Sequence, residues 1–290
     1  MKLAYKFNLV LLGIFVLGFL FAGFVSYRVL QGNARQEILQ NARLMMEAAL
    51  ASRAYTNNQV KPLLETQLKY AFLPQTVPAY AATEVFNDLR KKHPDYGYKE
   101  ATLNPTNPRD RANDWEADVV QTFRQMPTLG EMVGERDTPT GRALYLAKPI
   151  QIQSAACLVC HSTVEAAPRT MIDLYGTANG FGWQMNEVIG AQVVSVPMSV
   201  PITRAFDTFR TFMLSLAGVF VAAFVLLNVM LYAMVIRPVT RLAAVADQVS
   251  LGNFEAGEFK AGSRDEIGTL TEALARMKTS LVQAMKMLET

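Results

Sequence analysis

The chain is poor in cysteine, histidine and charge. Its 290 residues include two cysteines and two histidines, and 18% are charged against 51% hydrophobic. A soluble domain carries roughly 25% charged residues, so the shortfall predicts that part of the length lies in lipid. No run rich in Lys and Arg occurs, and the formal charge of +3 is spread along the chain, which argues against a nucleic-acid partner. Structural zinc needs four ligands, and outside the run Cys157–His161 the only Cys or His is the distant His93, so a zinc knuckle is excluded.

What is abundant is apolar length. Residues 7–27 are almost wholly apolar, broken only by Asn8, Ser26 and glycines. About 20 residues at 1.5 Å each cross a hydrocarbon core of roughly 30 Å. The run exceeds the usual core of a cleaved leader, has no clean small-x-small site after it, and continues into a helical pattern, so it reads as an uncleaved anchor. Residues 211–236 form a second uncharged run, ending at Arg237-Pro238. Two spans put both termini on one side. Lys2 and Lys6 before the first span, with Arg237 and Arg241 after the second, assign that side to the cytoplasm, although Arg28, Arg35, Arg204 and Arg210 lie opposite. The expected organisation is a cytoplasmic tail at 1–6, spans at 7–27 and 211–236, an extracytoplasmic domain at 28–210 and a cytoplasmic segment at 237–290.

The chemistry concentrates in Cys157-Leu158-Val159-Cys160-His161. Two thiols spaced by two residues can each add to a vinyl group of haem, and the following histidine supplies the proximal iron ligand. A redox Cys pair would open a helix in a thioredoxin-like unit, and no βαβ pattern surrounds this one. A disulfide across so small a loop would be strained. The expectation is one covalent haem c on Cys157 and Cys160, with His161 on the iron. Such haem is attached outside the cytoplasm, in agreement with the side assigned by the terminal lysines. The sixth ligand stays open: Met45 and Met46 are candidates, beside small residues Ala48, Ala49 and Ala51, while His93 reads as a surface histidine and a water-occupied position is a further alternative.

Residues 31–80 repeat apolar positions at helical spacing, with Pro62 and Pro74 as punctuation. Short helices are expected at 83–92 and 114–126, and strands at 96–101, 141–152 and 189–198, where β-branched and aliphatic residues collect. That order predicts an α+β domain with the cysteine loop inserted before the last strand. The runs Tyr98-Lys99-Glu100-Ala101, Asn104-Pro105-Thr106-Asn107-Pro108, Asp114-Trp115-Glu116, Lys148-Pro149-Ile150, Ala167-Pro168, Tyr175-Gly176 and Gly180-Phe181-Gly182-Trp183, with the Cys/His motif, resemble a haem c-binding family over about residues 35–200. The resemblance implies a PAS-like sheet carrying the haem and a long N-terminal helix.

After the second span, Leu242, Val245, Ala246 and Val249 mark one amphipathic helix and Gly252-Asn253-Phe254 a break. From Asp265-Glu266-Ile267-Gly268 a second helix opens, with Ile267, Leu270, Leu274, Met277, Leu281, Ala284 and Leu288 at heptad steps. Two short helices around a connector, with Pro238 after the membrane and Glu266 and Gly268 at the second start, resemble a HAMP module. That resemblance implies signal relay through Pro238, Glu266 and Gly268 and a homodimer, because the module is a four-helix bundle of two chains. No histidine follows the second span before Thr290 and no Walker loop appears, so output falls to a separate cytoplasmic partner.

The function expected is therefore a haem sensor in the cytoplasmic membrane that relays redox state or gas binding, rather than an enzyme. A membrane-tethered monohaem cytochrome passing electrons to a redox partner is the alternative.

Overall fold

Prolines decide where the long helices change character. The computed structural model describes residues 3–255, 257–259 and 264–288, so Lys2, Thr290 and the side chain of Leu288 lie outside the described residues. No proline precedes Pro62, and helix α1 runs unbroken over Leu3–Tyr55. At Thr56–Val60 the helix widens to a π turn, in which Lys61 N–H reaches Thr56 O. Pro62 explains it: a proline has no N–H for the carbonyl four residues back and its ring collides with that carbonyl, which widening relieves. Short helices α2 (Lys61–Leu63) and α3 (Glu65–Leu68) follow. A second π turn at Tyr232–Ile236 stands in the same relation to Pro238, with Arg237 N–H on Tyr232 O.

Contacts divide the chain into two units, residues 28–208 and residues 1–27 with 209–290. The first holds a four-stranded antiparallel sheet of β1 (Gly97–Thr102), β2 (Met132–Thr138), β3 (Gly141–Gln151) and β4 (Val188–Pro197), in the order β1-β4-β3-β2. Besides the second half of α1, with α2, α3 and the start of α8 (Ser199–Leu231), this unit holds α4 (Pro78–Arg90), α5 (Asp114–Gln125), α6 (Ala155–His161) and α7 (Arg169–Tyr175). The mixed helix-and-sheet class agrees with expectation. The strand β2 was not anticipated, because Met132–Thr138 is polar and lacks clean alternation; its pairing with β3, from Thr138–Gly141 to Met132–Ala147, imposes it.

Both faces of the sheet are covered. On one, Tyr98, Leu144, Leu146, Val194 and Val196 meet Ile38, Ala42, Met46 and Ala49 of α1 and Ala82 and Phe86 of α4. The steps from 38 to 49 are those that bring helix positions onto one side. On the other, Ala101, Ala147, Ala191 and Val193 meet Val119, Val120 and Phe123 of α5. Helix α5 is fixed by a capping box between Asn113 and Glu116. One charged network is buried in the first face. Tyr98 Oη donates to Glu100 Oε1 at 2.7 Å, Gln192 Nε2 donates to Tyr98 Oη at 3.2 Å, and Arg53 of α1 pairs with Glu100 Oε2.

The second unit contains most of α8 (Ser199–Leu231), then α9 (Arg237–Ser250) and α10 (Glu266–Leu288). The continuous helices Ala4–Leu63 and Ser199–Ser250 each include a stretch long and apolar enough to cross a membrane. Within this unit Phe15 stacks on Phe220 with ring centroids 4.9 Å apart. Helix α10 is capped by Asp265, whose Oδ1 accepts from Ile267 and Gly268 N–H at 3.0 Å each. Glu266 is exposed and Gly268 is buried. The heptad positions Leu270, Met277 and Leu281 are exposed in the single chain.

Candidate functional site

Between β3 and β4 the chain makes an excursion that leaves and returns at one point. Ile152 N–H bonds Glu187 O at 2.9 Å and Asn186 N–H bonds Ile152 O at 2.8 Å, closing its base. Ser154 caps the seven-residue helix α6 by accepting from Ala156 N–H. Within that helix Cys157 and Cys160 are three residues apart and His161 four from Cys157, so all three lie on one side. Both thiols are free and half-buried. Burial pushes the Cys160 thiol up, with Lys61 pulling it down and Cys157 up. Lys61 of α2 therefore lies within electrostatic reach of the motif.

His161 is held from three directions. Its Nδ1 lies 2.7 Å from Gly180 O and 3.4 Å from Thr106 Oγ1, and its ring stacks on Trp183 at 3.9 Å and 18°. A carbonyl only accepts, so Nδ1 carries the proton and Nε2 keeps its lone pair. Burial lowers the imidazole pKa, with the Gly180 carbonyl opposing, which favours that neutral form. The main chain adds two bonds, Gly182 N–H to Ser162 O at 2.9 Å and Trp183 N–H to His161 O at 3.1 Å.

The carbonyl that meets Nδ1 comes from a glycine for a physical reason. Gly180 has φ +86°, and a Cβ there would fall 2.0 Å from Thr106 Oγ1. Asn104 accepts from Gly180 N–H at 3.3 Å through Oδ1 and donates to Phe181 O at 3.3 Å through Nδ2. Arg111 donates to Asn179 Oδ1 at 3.0 Å. Thus residues 104–111, which follow β1, and residues 176–183, which follow α7, close on each other beside α6.

A cluster of ionisable groups lies on the same residues 104–111. Arg109 pairs with Glu84 of α4 and covers the Tyr80 ring at 4.6 Å, so its one contact to Asp110, from Nε, is 3.9 Å long. Burial pushes the Asp110 carboxyl up to about 6, with Arg109 and Lys99 opposing and Glu100 and Glu84 adding to the rise. Tyr175 of α7 feels both Arg109 and Asp110, and packs edge-on against Phe72 at 5.9 Å. Leu63, Val159 and Leu174, from the segments that meet here, are exposed apolar side chains.

The expected sites separate into two groups. Cys157, Cys160 and His161 come together, as their adjacency requires. Met45 and Met46, the candidates for the sixth ligand, lie instead on the helix α1. Met46 is fully buried in the core between α1 and the sheet, and Met45 packs against the same core. From Met46 to Lys61, whose charge is felt at Cys160, fifteen residues of helix advance the chain by roughly 22 Å. His93 is exposed in the turn after α4, edge-on to Tyr96, in agreement with a surface role. Pro238, Glu266 and Gly268 belong to the other unit. The sequence pattern does not single out Gly180, Thr106 and Asn104 as individual contributors, since the bond from Asn104 to Gly180 crosses 76 residues and that from Thr106 to His161 crosses 55, nor does it mark Asp265 as the cap of α10.

Comparison with known proteins gives two family matches: the Tll0287-like family over residues 31–197 and the HAMP domain over residues 230–283. No curated protein matches the chain. Among solved structures, the cyanobacterial heme-protein Tll0287 is similar at 15% identity and a TM-score of 0.43, covering 56% of this chain and 95% of that one.

Proposed function

Because the chain belongs to the Tll0287-like family and carries a HAMP domain, we propose that it is a membrane-bound c-type haem sensor that relays redox state or gas binding to a separate cytoplasmic partner. The observation that carries the reading is His161, locked in one tautomer by Gly180 O with Nε2 left to ligate, one helical turn from Cys157. Among the described residues, no group of three or more His, Cys, Asp or Glu side chains could hold a bare metal ion. A porphyrin brings four nitrogen ligands of its own, so two thiols and one imidazole suffice for it and for little else.

In this reading Cys157 and Cys160 hold the group by thioether bonds and His161 ligates through Nε2. When bound, haem supplies an iron that changes oxidation state and accepts diatomic ligands. The chain's own residues do the rest. Gly180 O keeps the proton on Nδ1, Trp183 fixes the ring plane, and exposed Leu63, Val159 and Leu174 offer apolar cover. The sheet with helices on both faces serves as a PAS-like scaffold. The domain faces outside the cytoplasm between two spans, both termini are cytoplasmic, and the protein is not itself an enzyme. The exposed stripe Leu270, Met277 and Leu281 pairs with a second copy, and the relay passes through Pro238, Glu266 and Gly268.

Absorption spectra of the purified full-length protein, with a haem stain on a denaturing gel, test the first half. Covalent haem in the wild type and its loss from a Cys157→Ala/Cys160→Ala double variant are expected; a colourless wild type from a haem-ligating host sinks the reading. Single cysteines introduced along α10 of the haem-loaded protein, whose two native cysteines are taken up by the thioether bonds, test the second half by cross-linking, with yields compared between oxidised, reduced, CO-bound and NO-bound states. A change in cross-linking is expected. Unchanged cross-linking, together with electron exchange that survives deletion of residues 237–290, would replace the relay by a tethered electron carrier.

A further inference from the structure

The loop bearing Gly180 has more anchors than it needs to stay closed, and one of them acts at a particular place. Arg111 holds Asn179, Gly182 N–H holds Ser162 O and Trp183 N–H holds His161 O. These bonds fix the loop on either side of the carbonyl that meets His161. Asn104 instead grips the two peptide groups that flank that carbonyl: its Oδ1 accepts from Gly180 N–H and its Nδ2 donates to Phe181 O, both at 3.3 Å. One amide side chain thereby constrains the rotation of the peptide that presents Gly180 O.

Asn104 is itself well placed to do this. Leu103 N–H bonds Ile189 O at 3.3 Å, extending the sheet pairing to the residue before it. Pro105 follows, which disfavours helical backbone at Asn104 and holds it extended. Thr106, two residues on, touches Nδ1 at 3.4 Å and leaves no room for a side chain on Gly180. Three successive residues of one loop thus bear on a single carbonyl. The 2.7 Å bond that results is shorter than the 3.4 Å contact of the same ring nitrogen with Thr106.

We infer that Asn104 is a positioning residue for His161, setting through the Gly180 peptide the strength of the Nδ1–H···O bond and hence the donor strength of Nε2. The inference rests on the reading of His161 as the iron ligand. A hydrogen bond from the far ring nitrogen raises the basicity of a ligating imidazole and fixes its orientation. A more basic ligand favours the ferric state, so loosening the Gly180 carbonyl raises the midpoint potential.

The chain has only two histidines, so labelling with 15N-histidine gives two ring systems, and His161 is recognised by its loss in His161→Ala. Full-length wild type, Asn104→Ala, Asn104→Asp and Asn179→Ala are compared in detergent. Asn104→Ala is expected to retain covalent haem, raise the midpoint potential and speed exchange of the His161 Nδ1 proton at least tenfold. Asn179→Ala removes a loop anchor but spares the amide grip, and both readouts should stay at the wild-type value. Asn104→Asp keeps the acceptor for Gly180 N–H and should exchange at an intermediate rate; it decides the matter if Asn104→Ala does not fold. Unchanged exchange and potential in the Asn104 variants, or equal changes in Asn179→Ala, overturn the inference. Absence of haem from the wild type defeats the functional reading instead, and the proton exchange, which needs no iron, still reports whether Asn104 tightens the Gly180 bond.

Discussion

The middle of α1 and the loops beside α6 are held in opposite ways. Ile38, Ala42, Met46 and Ala49 sit on the sheet at one helical spacing, fully buried and apolar. His161 is surrounded by Thr106, Gly180 and Trp183, brought from separate loops by polar contacts and a ring stack. The first region stabilises by area removed from water, which tolerates small shifts. The second depends on direction, because a carbonyl displaced by an ångström no longer accepts the same bond. Substitutions should therefore change stability in the first and ligation in the second. Tryptophan fluorescence follows unfolding of the unit that contains both, since Trp115 and Trp183 are the only tryptophans and lie within residues 28–208.

The largest effect is expected at the one charged point of the apolar region. Arg53→Leu leaves Glu100 buried, with only the hydroxyl of Tyr98 as a partner. Burial, with Glu100 beside it, already pushes the Tyr98 phenol well above its usual range. Removing one partner of a buried pair costs about 3–5 kcal/mol. A melting temperature within a degree of wild type would mean that water reaches Glu100 and that the pair is not a structural element.

Met46→Ala comes next and sharpens the comparison most directly. A buried methionine reduced to alanine leaves a cavity and costs roughly 3 kcal/mol. The absorption spectrum and potential of bound haem should not change, because Met46 belongs to the core and lies roughly 22 Å of helix before Lys61. Loss of a Met-ligation signature in this variant would break the division between the two regions.

The same contrast explains what could be read from the sequence. The core of α1 and the strands β1, β3 and β4 follow from periodicity, which is a local property, and Cys157, Cys160 and His161 are adjacent and so announce themselves. Met46 and Ala49 share the sheet-facing side of α1, a packing role that the same apolar periodicity encodes. Asn104 and Gly180 act across 76 residues. Nothing local in either segment encodes that meeting, although the two glycines of Gly180-Phe181-Gly182 do adopt positive φ, +86° and +81°. The π turns were legible in hindsight of one rule: a basic residue and a proline, Lys61-Pro62 and Arg237-Pro238, follow each of them.

The smallest predicted effect has the opposite sign, and it arises in the loops. Asp110 is mostly buried, and among the described residues its one ion-pair contact is 3.9 Å long, to an arginine already engaged by Glu84. Its carboxyl is pushed up from 3.8 to about 6 by burial first, against Arg109. The folded state therefore holds this proton more tightly than the unfolded chain does. Below pH 4 both states are protonated and the group contributes its full share. As pH rises through 6 that share is lost, because the folded protein must carry a poorly solvated charge. At about 1.4 kcal/mol per unit, the shift corresponds to on the order of 2 kcal/mol once partial solvation is allowed for. Asp110→Asn imitates the protonated form at every pH. It should be more stable than wild type by that amount at pH 7.5, by less at pH 5, and equal to it near pH 4. Parallel pH profiles for the two proteins would show that Asp110 is solvated or fully paired. A gap that closes on acidification would show that the loop end of the domain keeps a destabilising carboxylate where the helix-backed core keeps none unpaired.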